Sequence, residues 1–352
     1  MKTRKIWALL LALAMMFSLV ACAGNNAGNN QGDTANNGAN DAGNANDTVE
    51  DPPAPFPTER AISLVSYTAA GGGDVAGRVV TANIQTIIDQ RMDVVNMTGA
   101  NSLEAVEFVL NQPHDGYNLL LGDATFINNY LISEVPYTLD DFTPIAKIGK
   151  SAPVFFVRAD SPFQTLDDVI EACKANPSSV SIAHGRVNSG PHITLRTLEN
   201  LAGFQSANVP TQGGSEALSF VMGGHVDVGI SIPSTISAGI ENGDLRALCV
   251  SDTKRWDGVL AEVPTMLELG YDVNMSGGFT VYAPSDMPAE DMQMLHDAFV
   301  AAMQSESTIT MANASKVTLA PDFTMEDAAA EYASFIETMT SYYTLTGELL
   351  QR

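Results

Sequence analysis

From residue 61 onward the chain alternates short apolar runs with segments of helical hydrophobic spacing, joined by short polar turns, and few folds accept that order. Residues 61–67 read as a strand closed by Ala-Ala-Gly-Gly-Gly. Beyond it Val75, Val79, Val80, Ile84, Ile87 and Ile88 recur at helical spacing as far as residue 91, with Asp74 as the N-cap. Further strands are expected at 93–97, 117–122, 154–158, 180–183, near 208, at 226–232 and at 245–250. Helices are expected at 102–110, 165–175, from 189 or 191 to 201, and at 214–222, 289–303 and 325–350, the last broken by turns. Thr165 and Asp168 have the spacing of a capping box. Such alternation predicts an α/β fold of mixed, mostly parallel sheets with helices on both faces.

Three of the strand-to-helix turns are rich in glycine: Gly71-Gly72-Gly73-Asp74, Asn188-Ser189-Gly190 and Gln212-Gly213-Gly214-Ser215. Each places backbone N–H groups at a helix start, where the helix dipole favours an anion and a missing Cβ allows close approach. Glycines also make ordinary tight turns, and both readings stay open for any one loop. The net charge of −24, from 41 acidic against 17 basic side chains, excludes a broad phosphate-binding face and with it nucleic acid as a partner. It does not set the sign of a small ligand, because a few fixed dipoles dominate inside a cleft.

Catalytic and metal signatures fail when tested. Gly71-x-Gly73-x-x-Ala76 follows a strand as a dinucleotide fingerprint does, but the second strand ends in Asn96-Met97 without the acid that holds a ribose hydroxyl. Gly229-Ile230-Ser231-Ile232-Pro233 lacks the final glycine of a nucleophile elbow. The five histidines form no His-x-x-x-His pair, so neither a metal site nor a cofactor is expected. His184, at a strand end, either lines a cleft or sits in a plain loop; His192 suits packing or capping. Cys173 and Cys249 are either two buried thiols or a disulfide.

Lys2, Arg4 and Lys5 precede an apolar run of 15 residues, Ile6 to Val20, the pattern of a secretory signal and short of the roughly 20 residues of a membrane span. Leu19-Val20-Ala21-Cys22 resembles the lipobox of bacterial lipoproteins, which implies signal removal over 1–21 and lipidation of Cys22. Loss of those residues, with three cations and no acid, takes the charge from −24 to −27. Residues 22–57, rich in Asn, Gly, Ala and Asp, then read as a disordered tether.

In chain order, Gly71-Gly72-Gly73-Asp74 with Arg78, Pro113-His114-Asp115-Gly116-Tyr117, Ser161-Pro162-Phe163, Ser189 with His192, and Val209-Pro210 before Gly213-Gly214 form a series of blocks. Gly223-Gly224-His225-Val226-Asp227, Gly243-Asp244-Leu245-Arg246, Val263-Pro264-Thr265, and Ala283-Pro284 with Pro288 continue it. Over residues 60–345 the series resembles the substrate-binding proteins of tripartite tricarboxylate transporters. The resemblance implies a two-lobed periplasmic-binding-protein ("Venus flytrap") fold, with lobe one at 58–150 plus 253–352 and lobe two at 151–252. It implies an extracytoplasmic, non-catalytic receptor, monomeric and anchored by lipid to the outer face of the cell membrane. Such a receptor passes a small organic carboxylate to integral membrane transporter subunits. A receptor feeding a sensor kinase, or a surface enzyme acting on a small anion, are the alternatives. Carried over residue by residue, the ligand contacts are Tyr67, Gly72, Gly73 and Asp74 from lobe one. From lobe two they are Ser189, Thr211, Gly213, Gly214 and Asp227, to which His184 is added as a cleft candidate. Asp74 alternatively serves only as N-cap and partner of Arg78 at i+4. The chain departs from the family pattern at Thr211 and Gln212, at His184-Gly185-Arg186, where a small-residue turn is usual, and at Asp286-Met287.

Overall fold

The computed structural model describes residues 56–69 and 71–351. The expected signal, the expected lipidation site Cys22 and nearly all of the expected tether lie outside the described residues.

The chain begins β1 (Ile62–Ser66), α1 (Gly72–Thr81), the single turn α2 (Gln85–Ile88), β2 (Met92–Asn96), α3 (Leu103–Leu110), β3 (Asn118–Gly122), α4 (Ala124–Ile132) and β4 (Phe142–Ser151). After a crossing of two residues come β5 (Val154–Arg158), α5 (Leu166–Ala175), β6 (Ser181–His184), α6 (Gly190–Ala202), β7 (Ala207–Pro210) and α7 (Gly214–Met222). Next are β8 (Val228–Ser231), α8 (Pro233–Glu241) and β9 (Leu245–Val250), and the chain returns as β10 (Gly277–Pro284), α9 (Ala289–Gln304), α10 (Glu306–Ala314) and α11 (Met325–Thr346).

Among the described residues two five-stranded sheets form, ordered β2-β1-β3-β10-β4 and β7-β6-β8-β5-β9. Each is mixed. β1 pairs in parallel with β2 and β3, and β6 with β7 and β8, while β10 and β5 each run antiparallel to both neighbours. The antiparallel strands belong to the chain crossings. β4 runs out of the first sheet into β5, and β10 re-enters the first sheet beside β4, with Gly277 paired to Ser151.

The second crossing lies later than expected. The buried residues of 253–273 pack with the second sheet, and Met275 touches the cores of both lobes. Met266 and Val273 join the core of Phe155, Ile182 and Leu248, and Leu260 joins that of Val154 and Ile236. Reciprocal backbone bonds tie Val250 to Pro264 and Met266. Lobe two therefore extends to about Met275.

The courses of two helices, α1 and α11, also differ. Gly71, not Asp74, caps α1, and Asp74 stands in its first turn. The helical spacing after it does not run unbroken to residue 91: α1 stops at Thr81 and resumes only as α2. α11 runs continuously to Thr346 and ends on Gly347 in the left-handed region. The Thr165–Asp168 capping box is present. Cys173 and Cys249 are separate buried thiols, and burial raises the proton affinity of both. No described helix is long and apolar enough to cross a membrane.

Candidate functional site

Between the sheets lies a cavity of about 160 Å³, walled by residues of both lobes. Four helices begin at its wall: α1 from the first lobe, and α6, α7 and α8 from the second. Among the described residues no side chain caps any of them. The first N–H groups of an α-helix have no intrahelical acceptor, so these ends offer donors and positive dipole to whatever occupies the cavity. α4 also starts here, but the Asp123 carboxylate caps it, accepting from Thr125 N at 2.8 Å.

Gly72, Gly73, Ser189, Gly213 and Gly214 line the cavity. Gly214 must lack a side chain, since a Cβ would stand 2.2 Å from Ser231 Oγ, and at Gly72 it would stand 2.1 Å from Ile232 Cδ1 across the lobes. Ser231 is fully buried at the end of β8, and its hydroxyl has no partner among the described residues. It lies against Gly214 at the start of α7 and so fixes how closely that loop packs on β8.

Five expected contacts lie elsewhere. Asp74 is buried against Arg78, which donates from Nε and Nη2 at 3.1 and 3.0 Å, and against Asn96 Nδ2 at 2.8 Å. It orders the first loop from behind. Tyr67 is fully buried one layer below the wall, its hydroxyl bonded to the Asp123 backbone and carboxylate. Burial, reinforced by that carboxylate, raises its pKa well above the ordinary value, so it remains a neutral donor. Thr211 is turned inward, donating to the carbonyls of His184 and Gly213 at 2.7 and 2.8 Å. His184 is buried between Gly185 O and Asn208 Oδ1 and meets the ring of His192 at 4.8 Å. Asp227 lies at the far end of the second sheet, before β8 begins, where Ser181 N and Oγ donate to it at 2.8 and 2.6 Å. Strand alternation explains the inward residues, because neighbours of a lining residue point to the other side.

The imidazole pair gives a pH signature. Burial first, then the neighbouring His184 and Arg196, lowers the His192 pKa from 6.5 to about 4, and burial lowers that of His184. Between those limits the unfolded chain binds a proton that the folded protein refuses. Stability present above pH 6.5 is therefore lost progressively as pH falls towards 4. His192 Nδ1 accepts from Asn188 N at 3.0 Å, a bond that an asparagine oxygen can take over. His192→Asn should flatten the melting temperature against pH across this window; an unchanged slope would assign the dependence to other groups.

Wall residues that the sequence reading did not select are Arg186, Asp123, Asn128, Ser231, Glu331 and Phe279. Arg186 carried a visible signal, an arginine in a turn usually made of small residues. The lobes also meet beside the cavity: Asn101 Nδ2 donates to Val187 O at 3.0 Å, Asn128 Nδ2 to Asn188 O at 2.8 Å, and Asn188 Nδ2 to Asn129 Oδ1 at 2.9 Å. On another side Lys316 pairs with Glu241 at 2.7 Å. Among the described residues no cluster of three or more His, Cys, Asp or Glu could hold a metal ion.

The profile of the tripartite tricarboxylate transporter family receptor matches residues 76–337. A UPF0065 protein of Cupriavidus necator is 29% identical over 255 residues, 70% of this chain and 76% of its own length. MatC of Rhodopseudomonas palustris, solved with bound malate, superposes with a TM-score of 0.72 at 22% identity, covering 81% of this chain and 99% of that one. A second R. palustris protein, solved with adipate, gives 0.74 at 24% identity, covering 83% and 98%. With two mixed α/β sheets, a cavity between them and a profile match over most of its folded length, the chain belongs to the tripartite tricarboxylate transporter receptor family.

Proposed function

We propose that this protein is an extracytoplasmic solute receptor that captures a small di- or tricarboxylate between its lobes and delivers it to a tripartite tricarboxylate-type membrane transporter. One observation carries the reading: uncapped helix starts from opposite lobes, α1 and α7, face one cavity. Their backbone donors suit a carboxylate without calling on lysine, on a chain whose net charge is −24. Gly72, Gly73, Gly213, Gly214 and Ser189 form the contact surface, with Asp74, Tyr67 and Thr211 holding the loops from behind. The malate and adipate of the two R. palustris structures support the ligand class. The receptor acts as a monomer, without catalysis, and Cys22 carries the lipid that keeps it at the outer face of the membrane.

Ligand that binds only the folded state raises stability by mass action, about 2.7 kcal/mol at 100 times Kd. Within a panel of carboxylates, amino acids and sugars, some di- or tricarboxylate is expected to raise the melting temperature of protein lacking residues 1–21 by about 5 °C or more. Shifts confined to amino acids or sugars would overturn the ligand class.

A further inference from the structure

Three polar groups of Asn188 tie the lobes to a single imidazole. The residue is buried, in the turn between β6 and α6, with its backbone in the left-handed region at φ 67°. Its carbonyl accepts from Asn128 Nδ2 at 2.8 Å and its Nδ2 donates to Asn129 Oδ1 at 2.9 Å, both on α4 of the opposite lobe. Its backbone N–H donates to His192 Nδ1 at 3.0 Å, in the first turn of α6. A main-chain N–H only donates, so this bond exists only while Nδ1 carries no proton.

The surroundings also oppose a charge on His192. α6 begins at Gly190 without a side-chain cap, so the positive end of its dipole lies at the imidazole. The ring is partly buried and meets that of His184 on β6 at 4.8 Å, and Arg196 follows one turn along α6. The acids of the neighbouring elements are engaged elsewhere: Glu348 faces Arg196 at 3.4 Å, Asp123 faces Arg186 at 3.5 Å, and Glu199 accepts from Ser206 N and Oγ. With the lobes joined, burial first, then His184 and Arg196, hold the His192 pKa at about 4. Once the lobes part, Asn188 loses its partners on α4 and the turn no longer confines the ring, whose pKa then returns towards 6.5.

We propose that the His192–Asn188 bond is an acid-release switch: a proton taken from solvent by Nδ1 breaks it, Asn188 leaves α4, and the lobes part and give up their solute. This rests on the reading of the protein as a carboxylate receptor. Ser189, next in the chain, lines the cavity, so the same displacement withdraws a wall residue from the ligand. The joined state has the lower pKa, so closure is favoured at neutral pH and weakens as pH falls from 6.5 towards 4. One proton expelled on closure lowers affinity nearly tenfold per pH unit in that range, about 50-fold between pH 7.5 and 4.5. An imidazole that only packed α6 would change stability with pH without favouring parted lobes over joined ones.

Titration calorimetry at pH 7.5 and 4.5, with the tightest-binding of succinate, malate and citrate, compares wild type with His192→Asn, whose amide oxygen keeps the Asn188 bond and takes no proton. The acid's own protonation, and that of His184, are common to both proteins. The two should bind within about threefold of each other at pH 7.5, and wild type should be weaker by about 50-fold at pH 4.5. An NMR titration of the wild-type imidazoles needs no variant to fold: the acid should lower the His192 midpoint by about two pH units. Equal losses of affinity in both proteins, or a midpoint that the acid leaves unmoved, keep the receptor reading and overturn the switch. Binding of none of the three acids at pH 7.5 overturns the carboxylate reading on which the switch rests.

Discussion

Gly213→Phe is expected to abolish ligand binding while the protein stays folded. Gly213 precedes α7 with φ 168°, an extended backbone open to any residue, and a Cβ built there meets nothing within 4 Å. Because the residue lines the cavity, a six-carbon ring at this position competes for a volume of about 160 Å³. Exchange of an N-cap glycine for an apolar residue costs about 1 kcal/mol, or roughly 2–4 °C. Calorimetry should therefore detect no binding by a variant that melts within a few degrees of wild type. Its neighbours make poorer tests. Substitution of Gly214 displaces Ser231, substitution of Gly72 collides with Ile232, and a Cβ at Gly73 presses on Phe279 and Thr68 at 3.0 Å. Any of these disturbs the loops as well as the space between them. Retained affinity in Gly213→Phe would move the site away from the start of α7.

Glu331→Ala should lower stability by about 3 kcal/mol, read as a shift in the urea midpoint. Lys147 extends from β4 with its side chain 5% exposed, and its ammonium donates to both Glu331 oxygens, at 2.8 and 2.6 Å. The ring of Phe323 lies 4.5 Å from Nζ. Removal of the glutamate strands a buried cation, and breaking such pairs costs about 3–5 kcal/mol. Glu331 is 38% exposed, so water reaches the pair and the lower end applies. Lys147→Met combined with Glu331→Gln removes the charge together with its partner and should recover most of the loss. An unchanged midpoint in Glu331→Ala would show that Lys147 is solvated along another path.

The parallel halves of both sheets were legible because β1, β3, β6 and β8 are apolar runs that lead into polar or glycine turns. β4 and β10 were not. β4 carries Pro144, Lys147 and Lys150 and is tolerated as an edge strand, while β10 begins at two glycines and ends at a proline. α4 hides behind Asn128 and Asn129, whose polarity serves the interlobe contact rather than the helix. Residues of all three glycine turns line the cavity at helix starts. Tyr67 and Thr211 came with the family resemblance and His184 from its place at a strand end, but the turns of the backbone there put all three side chains in the supporting layer. Asp227 follows Gly-Gly-His-Val at the start of a strand, and residues there sit at the end of the sheet remote from the cavity. Arg186 stood out as an oddity of the turn, yet its reach across to α4 depends on the lobes meeting, which no local pattern encodes.

The contact made by Asn101, Asn128, Asn129 and Asn188 bears on how the protein meets its surroundings. A chain of net charge −24 repels an approaching anion, and dissolved salt screens that repulsion. Hydrogen bonds between neutral amides carry no charge to be screened in turn. Rising ionic strength thus eases the solute's arrival while leaving the amide seam between the lobes intact.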